Sequence, residues 1–587
     1  RPSLPTDEFY DERRNNPLFG TASWYITGEN QSHDVKFGGD YAWISYVAAF
    51  NYPKGHRPYV DSRIDPLGNP NWAVGVPVEV RLYNNPIAME DGGTMDCFVL
   101  ASCWKDGGSN AYTQKGRSLS LFLQDTITIA NRWTIAAGLR LDRAYNWNPA
   151  QNRLDSPWCG AGLMNPEQFC GGTFAEQPRA FVWNDVTPRI GIIYDVTGDG
   201  TWAAKFNYAQ YPENLGINYG GATNVNDTGR EDWRWLDANG DGLFQIGENV
   251  EFFDADFPGV GTRVDPELSS PLVHEFTAGV EHELFDNILL SVTGVVRERK
   301  DDVGTVALGR PFGFMFDNER CQAECTPTLP FGQDPYVQLT TVDPGDDGII
   351  GTADDGGPVP IWAQNPARGP ANNFTTNPNT FGFEQNTYYK GVSMVLSKRW
   401  SNNWQMLASW DIGKSEFQSG STTPSGLYNG RRQLSNNDRL HIMKVTTNYL
   451  IAEPIGVNLG LFVRAQSGRP LVASYNYPSS LLTALGPFSS GQGSQTITVS
   501  ARGEADEHQC PGCERPERQD FTTLVDVRAE KQVTIGRYGV VHFYFDVFNA
   551  LNTNTVTDLN ETLGSQWLRI DDVMPPRVIR LGGAWDF

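Results

Sequence analysis

Trp133-Thr134-Ile135-Ala136-Ala137-Gly138-Leu139-Arg140-Leu141-Asp142 is the stretch that decides the fold. Its odd positions carry Trp, Ile, Ala, Leu and Leu; its even positions carry Thr, Ala, Gly, Arg and Asp. Successive side chains of a strand point to opposite faces, so this segment makes one apolar and one polar face. The pattern recurs. Trp202, Ala204, Phe206 and Tyr208 alternate with Ala203, Lys205 and Asn207, and Val541, Phe543, Phe545 and Val547 with His542, Tyr544 and Asp546. At the end of the chain Ile579, Leu581, Trp585 and Phe587 alternate with Arg580, Gly582 and Asp586.

A soluble antiparallel sheet produces the same alternation; loop spacing separates the two cases. Strands come in pairs joined by short turns near 130–132, 197–200, 284–287, 401–403, 452–454 and 536–537. The pairs are separated by long polar segments near 49–113, 147–183, 213–271, 301–385, 416–437, 469–520 and 551–574. Short turns at one end and long loops at the other characterise outer-membrane barrels. Sandwiches and propellers have no reason to sort their loops this way. The expected fold is therefore an all-β, antiparallel transmembrane β-barrel. About 15 strands are expected, beginning near Thr21–Thr27. Bacterial single-chain barrels normally have an even number of strands. Counted back from the C-terminus, the chain opens in an external loop, so residues 1–587 are expected to be the C-terminal portion of a larger barrel.

Composition agrees. Mean hydropathy is −0.42, and no apolar run approaches the roughly 20 residues of a membrane-spanning helix. Yet there are 17 Trp, 22 Tyr and 31 Phe with 60 Gly and 37 Pro, a strand-and-turn vocabulary. The net charge of −23 argues against nucleic acid, which needs a basic face. The opening Arg1-Pro2-Ser3-Leu4-Pro5 has no apolar core and does not read as a signal peptide.

Several motifs, in order over 114–587, resemble TonB-dependent transporters, in particular their Oar-like branch. They are Ser120-Leu121-Phe122-Leu123-Gln124-Asp125 followed by Gly138-Leu139-Arg140-Leu141-Asp142, and Thr187-Pro188-Arg189-Ile190-Gly191. Then come Tyr389-Lys390-Gly391-Val392 through Lys398-Arg399-Trp400, Asp546-Val547-Phe548-Asn549-Ala550-Leu551-Asn552, and the terminal Arg580-Leu581-Gly582-Gly583-Ala584-Trp585-Asp586-Phe587. The resemblance implies about 22 strands around a plugged lumen. It also implies a bacterial outer-membrane location, a lipid-facing exterior, and coupling to the TonB complex through a plug region that this sequence does not show.

Asp237-Ala238-Asn239-Gly240-Asp241-Gly242-Leu243-Phe244-Gln245-Ile246-Gly247-Glu248 has the spacing of an EF-hand-type calcium loop. Asp237, Asn239, Asp241 and Glu248 would ligate through side chains, Leu243 through its carbonyl and Gln245 through water. A second stretch, 343–354, repeats the spacing less fully with Asp343, Asp347, the Ile349 carbonyl and Asp354; Gly345 stands where a ligand is wanted. The alternative is an acidic Gly-rich loop with no ion. The eight cysteines form close pairs, Cys97/Cys103, Cys159/Cys170, Cys321/Cys325 and Cys510/Cys513, each within one expected external loop. Local pairs in an oxidising compartment are expected to be disulfides. Cys510-Pro511-Gly512-Cys513 with His508 also has a metal or redox reading, but a structural zinc site wants four ligands and no second CxxC exists.

No enzyme is expected: HExxH, GxSxG, Walker and dinucleotide fingerprints are all missing. Arg140, Asp142, Lys205, Glu281, Arg297, His542 and Arg580 are expected to face the lumen as wall, plug contacts or substrate path. The leading functional reading is active uptake of a scarce solute such as a siderophore, oligosaccharide or peptide. A passive porin-like channel and a surface adhesin using the external loops remain alternatives. The substrate-binding residues are not legible.

Overall fold

In the computed structural model, residues 8–51, 56–61, 76–84, 112–153, 155–156, 158–239, 244–257, 262–329, 335–365, 372–419, 431–477, 495–500 and 517–587 are described. Fifteen long strands form one antiparallel wall, in which neighbours follow one another in chain order and, among the described residues, the first and last are paired on one side. They are β1 (Glu8–Thr27), β2 (Gln31–Asn51), β3 (Tyr112–Ile129), β4 (Trp133–Asn148) and β5 (Gln177–Asp195). Next come β6 (Trp202–Pro212), β7 (Leu272–Phe285), β8 (Ile288–Lys300), β9 (Gln385–Ser401) and β10 (Trp404–Ser419). The last five are β11 (His441–Ile451), β12 (Val457–Gln466), β13 (Thr522–Thr534), β14 (Val540–Phe548) and β15 (Val578–Asp586). The short strand Arg432–Leu434 pairs with the end of β10.

Seven short turns lie at one end of this wall, and every long connection lies at the other. Local chemistry explains the turns. Asn287, Asn402 and Asn403 adopt left-handed φ values of 68°, 51° and 63°, a region Asn enters more readily than most residues. Between β5 and β6, Gly198 and Gly200 take φ of 84° and 81° while Asp195 accepts from both their amides. Gly28–Asn30, which joins β1 to β2, is a turn the sequence did not announce, and β1 begins well before Thr21.

The alternation becomes two faces. Leu119, Leu121 and Leu123 on β3 and Leu139 and Leu141 on β4 lie on the outward face and are 42–56% exposed. Across the last three strands the same face carries the rungs Val527–Val547–Ile579 and Ala529–Phe545–Leu581. Ile135, Phe543 and Trp585 share that face, and Leu581 is 78% exposed. An apolar patch of this extent is untenable in water but natural against lipid. Trp133 stacked on Tyr194 and Trp202 stacked on His282 mark the short-turn rim, where aromatic rings gather at a membrane boundary. Within the apolar band the outward face carries a polar pair, His33 Nδ1 and Asp125 Oδ2, 2.8 Å apart.

The large hydrophobic clusters lie in the long connections. Val80, Leu82, Trp158, Phe169, Trp233, Trp235 and Phe244 form one cluster drawn from three connections. Val359, Ile361, Ala473, Tyr477, Ile497, Val499 and Leu563 form another from three more. A third, around Phe312, Met315, Phe374, Phe381 and Phe383, belongs to the 301–384 connection. The external segments thus build a folded cap with its own cores.

Candidate functional site

The inner face of the wall carries the charges, and cross-strand register pairs them. Lys205 Nζ lies 2.6 Å from Glu281, and Arg297 Nε donates to Glu275 at 2.7 Å. Arg140 Nε lies 2.9 Å from Asp142 and its Nη2 3.4 Å from Asp40. Asp546 stands directly between Arg528 and Arg580 in the ladder and accepts from both, at 2.6 Å and 2.7 Å. His542 sits between Glu530 and Asp586, each 3.0 Å away. All these groups share the face opposite the apolar rungs, as alternation requires. Lys444 and Arg464 are also directly opposite on this face, a like-charge rung with no ion pair to either among the described residues. Near the turn end, Gln405, Asn448, Asn458, Glu530, Gln532 and Thr534 line a cavity of about 510 Å³.

At the loop end, a segment of the 213–271 connection bends onto the inner wall. Its short helical stretch Ile217–Thr223 touches β2, β3, β4 and β5. Asn148 Nδ2 donates to the Gly220 carbonyl at 3.1 Å and Thr223 Oγ1 at 3.2 Å. Gln114 donates to the Ile217 carbonyl at 2.7 Å and accepts from the Gly221 amide at 2.8 Å. A Cβ at Gly221 would lie 3.0 Å from the end of the Gln114 side chain, which would have to give by a few tenths of an ångström. Tyr219 packs edge-on against Trp183, and Glu213 accepts from Arg299 at 2.5 Å. Burial pushes the Asp227 carboxyl up to about 7, aided by the nearby Asp256 charge and opposed by the Thr228 amide it accepts from. Sequence reading missed this segment: its contacts come from amide side chains without periodicity, and Gly220-Gly221 was the one visible hint.

The cap is tied by buried carboxylates. Glu231 accepts from the Asn165 amide at 2.6 Å, Asn165 Nδ2 at 2.8 Å, the Met164 amide at 3.3 Å and Trp233 Nε1 at 2.9 Å. Arg81 meets Asp232 with two hydrogen bonds of 2.7 and 3.0 Å. Cys159–Cys170 and Cys321–Cys325 are disulfides. Cys97, Cys103, Cys510 and Cys513 lie outside the described residues.

Of the first acidic loop, Asp241 and Leu243 lie outside the described residues. Glu248 Oε2 accepts from Trp235 Nε1 at 3.1 Å and the Gln245 amide at 3.0 Å, which ties the loop end to the aromatic cluster. In the second loop Asp343 accepts from the Gly345 amide, Asp347 from that of Ile349, and Asp354 from those of Asp346 and Asp347. These carboxylates serve their own loop's amides. Among the described residues, the group of three metal-type ligand atoms that comes together is Asp155, Cys159 and Cys170, whose sulfurs are committed to the disulfide.

A family model described as an outer membrane beta barrel domain matches residues 15–459. No curated protein matches the chain. Among solved structures, the outer membrane transporter YddB from Escherichia coli is similar over 99% of this chain and 55% of its own, with a TM-score of 0.50 at 11% identity. The FpvAI–pyocin S2 complex is similar over 99% of this chain and 50% of that one (TM-score 0.48, 11% identity). The unliganded ferric citrate transporter FecA covers 99% and 55% (TM-score 0.46, 9% identity). The chain therefore spans about half the length of these structures, and at such identities the likeness is one of fold.

Proposed function

This chain belongs to the outer membrane β-barrel domain family and lies in the bacterial outer membrane; from that premise we propose that it is most of the wall of a TonB-coupled importer. The observation that carries the reading is the width of the wall. Fifteen strands already stand in one ladder, and among the described residues β1 and β15 are each paired on one side. Unpaired strand edges are untenable in lipid, so further strands complete the ring. Seven more would make the 22-strand class, whose lumen is too wide to leave open and is plugged. The paired charges of the inner face are suited to hold such a plug, and the cap to select the solute. A siderophore, an oligosaccharide and a peptide are all compatible with this chemistry. The acidic loop 237–248 is proposed as a calcium-ordered part of that cap.

The test needs no knowledge of the solute. The full protein in a planar bilayer in KCl should show no steady open conductance, and a version lacking the plug should show a large one. Steady conductance from the full protein would favour the passive-channel reading instead. The folded cap is the observation that favours an adhesive role. Cap-deleted cells that lose attachment while keeping energised uptake would assign it that task.

A further inference from the structure

The segment that bends onto the inner wall is gripped largely by its main chain. Gln114 donates to the Ile217 carbonyl and accepts from the Gly221 amide, so one carboxamide spans a whole turn of backbone. Asn148 Nδ2 donates to the Gly220 carbonyl at 3.1 Å. These three bonds go to groups that every ordinary peptide unit carries. Two apolar recesses take side chains on either side of them. Ile217 packs on Tyr46 and Ala48, and its Cδ1 uses the space left by Gly116, whose Cβ would lie 3.4 Å from it. Tyr219 meets Trp183 and Phe181, with ring centres 5.2 and 5.6 Å away. Hydrogen bonds to main chain for affinity, with pockets for chosen side chains, are the means by which proteins bind peptides.

The wall also offers more than the segment takes. Asn146 is 1% exposed, and neither its Oδ1 nor its Nδ2 has a hydrogen-bond partner among the described residues. Asn148 Oδ1 has none either. An unpaired buried carboxamide costs free energy, so a seat made for this segment alone would be better served by an apolar residue. The surplus lies at Gly220, where the segment presents no side chain. A Cβ at Gly220 would meet Asn148 Oδ1 at 3.4 Å and Asn146 Nδ2 at 3.7 Å, which is ordinary contact, and the Gly220 backbone is not left-handed. A short polar side chain fits there and reaches both carboxamides.

We propose that this seat is a peptide-binding site and that Ile217–Thr223 occupies it as an internal stand-in. The preferred ligand is a short peptide that turns over Gln114. It sets an aliphatic residue on Tyr46 and Ala48, an aromatic residue on Trp183, and Ser, Thr or Asn immediately after the aromatic residue, toward Asn146. The inference rests on the importer reading and narrows its solute to a peptide. A tethered segment competes at an effective concentration on the order of millimolar, so the seat yields only to a ligand that binds better than the stand-in.

The test uses the full chain in detergent micelles and fluorescence anisotropy of labelled peptides. One peptide copies residues 215–224, the second carries Gly220→Ser, and the third is a scrambled control. Each is titrated against the wild type and against a variant in which residues 216–223 are replaced by a Gly-Ser linker of equal length. The linker variant should bind the copy, and bind the Gly220→Ser peptide about 10-fold more tightly. The wild type should bind both at least about 10-fold more weakly than the linker variant, because its own segment competes. Gln114→Ala with Asn148→Ala in the linker variant should weaken binding about 30-fold, as the loss of two hydrogen-bonding side chains implies. Heat-modified gel mobility reports whether each variant is folded. If the linker variant is not, the wild type decides: saturating Gly220→Ser peptide should lower the hydrogen-exchange protection of residues 217–223, and the scrambled peptide should not. Unchanged protection in that case, no binding by a folded linker variant, equal binding of the scrambled peptide, or displacement of the labelled peptide by maltohexaose would each overturn the proposal. Binding in detergent involves neither TonB nor a plug. Its failure leaves the importer reading standing, and a steady conductance in the bilayer experiment leaves the seat untouched.

Discussion

Phe543 and Tyr544 are consecutive residues with opposite fates. Phe543 is 55% exposed on the outward face, while Tyr544 stands on the inner face beside the Arg528 guanidinium. The difference follows from the pleat alone and gives a paired prediction. Phe543→Arg should destabilise the lipid-inserted wall by about 2–4 kcal/mol, the cost of a guanidinium near the midplane. Tyr544→Arg should cost far less, because its side chain meets water and paired charges. Urea titration of refolding into lipid vesicles measures both. Equal costs would mean that the two faces have been assigned wrongly.

At the scale of the element, the external connections behave as small folded units, and two of their joints are testable. The Cys159–Cys170 bond closes a loop with a sequence separation of 11 over the Trp158–Phe169 cluster. In the chain-entropy account, Cys159→Ser with Cys170→Ser should lower the stability of that unit by about 3 kcal/mol. Protease cleavage confined to the cap would show it, with the wall intact. The second joint is the segment that bends inward. Asp227, held up at about 7, prefers its protonated form when the segment is seated. A carboxyl raised on folding binds more protons folded than unfolded between the ordinary carboxylate value and about 7. Stability of the seated segment therefore falls as pH rises through that window. Protection factors of residues 213–230, which divide out the base-catalysed intrinsic rate, should be larger at pH 5 than at pH 8, and Asp227→Asn should remove the difference. Protection that falls at low pH instead would refute the account.

For the whole molecule, wall and cap answer to different solvents. The wall turns its apolar face to lipid, and its buried Tyr46, Ala48, Phe181 and Trp183 lie under the inward-bent segment at Ile217 and Tyr219, whereas the cap stands in water and buries Trp, Phe and Leu as a soluble domain does. Calcium at 237–248 would act on the cap alone. Titrating the purified barrel should raise protease protection around Trp233 and Trp235 in the wild type. Asp241→Ala and Glu248→Gln should abolish that gain with the wall still folded. Identical protection with calcium and with chelator would leave the Glu248–Trp235 hydrogen bond as the loop's sufficient anchor.

The period-two pattern by itself determined the wall. Each strand is half in lipid and half in polar surroundings, so nearly every residue reports its face, and Trp133–Asp142 could be read without any partner. The sorting of short turns from long connections determined orientation for the same reason: the turn residues Asn402-Asn403 and Gly198-Asp199-Gly200 are local chemistry. The close spacing of Cys159 with Cys170 and of Cys321 with Cys325 made those pairs legible too. Tertiary structure alone decided the cap. Val80, Trp158 and Trp233 lie far apart in the chain and carry no periodicity, so nothing local says that they share one core. Nor does any local signal say that Asn148 reaches Gly220, or that, among the described residues, Arg117 is left without a carboxylate while Arg140 takes two. Those are outcomes of register between strands, and register is fixed by the burial of the whole face rather than by any one segment.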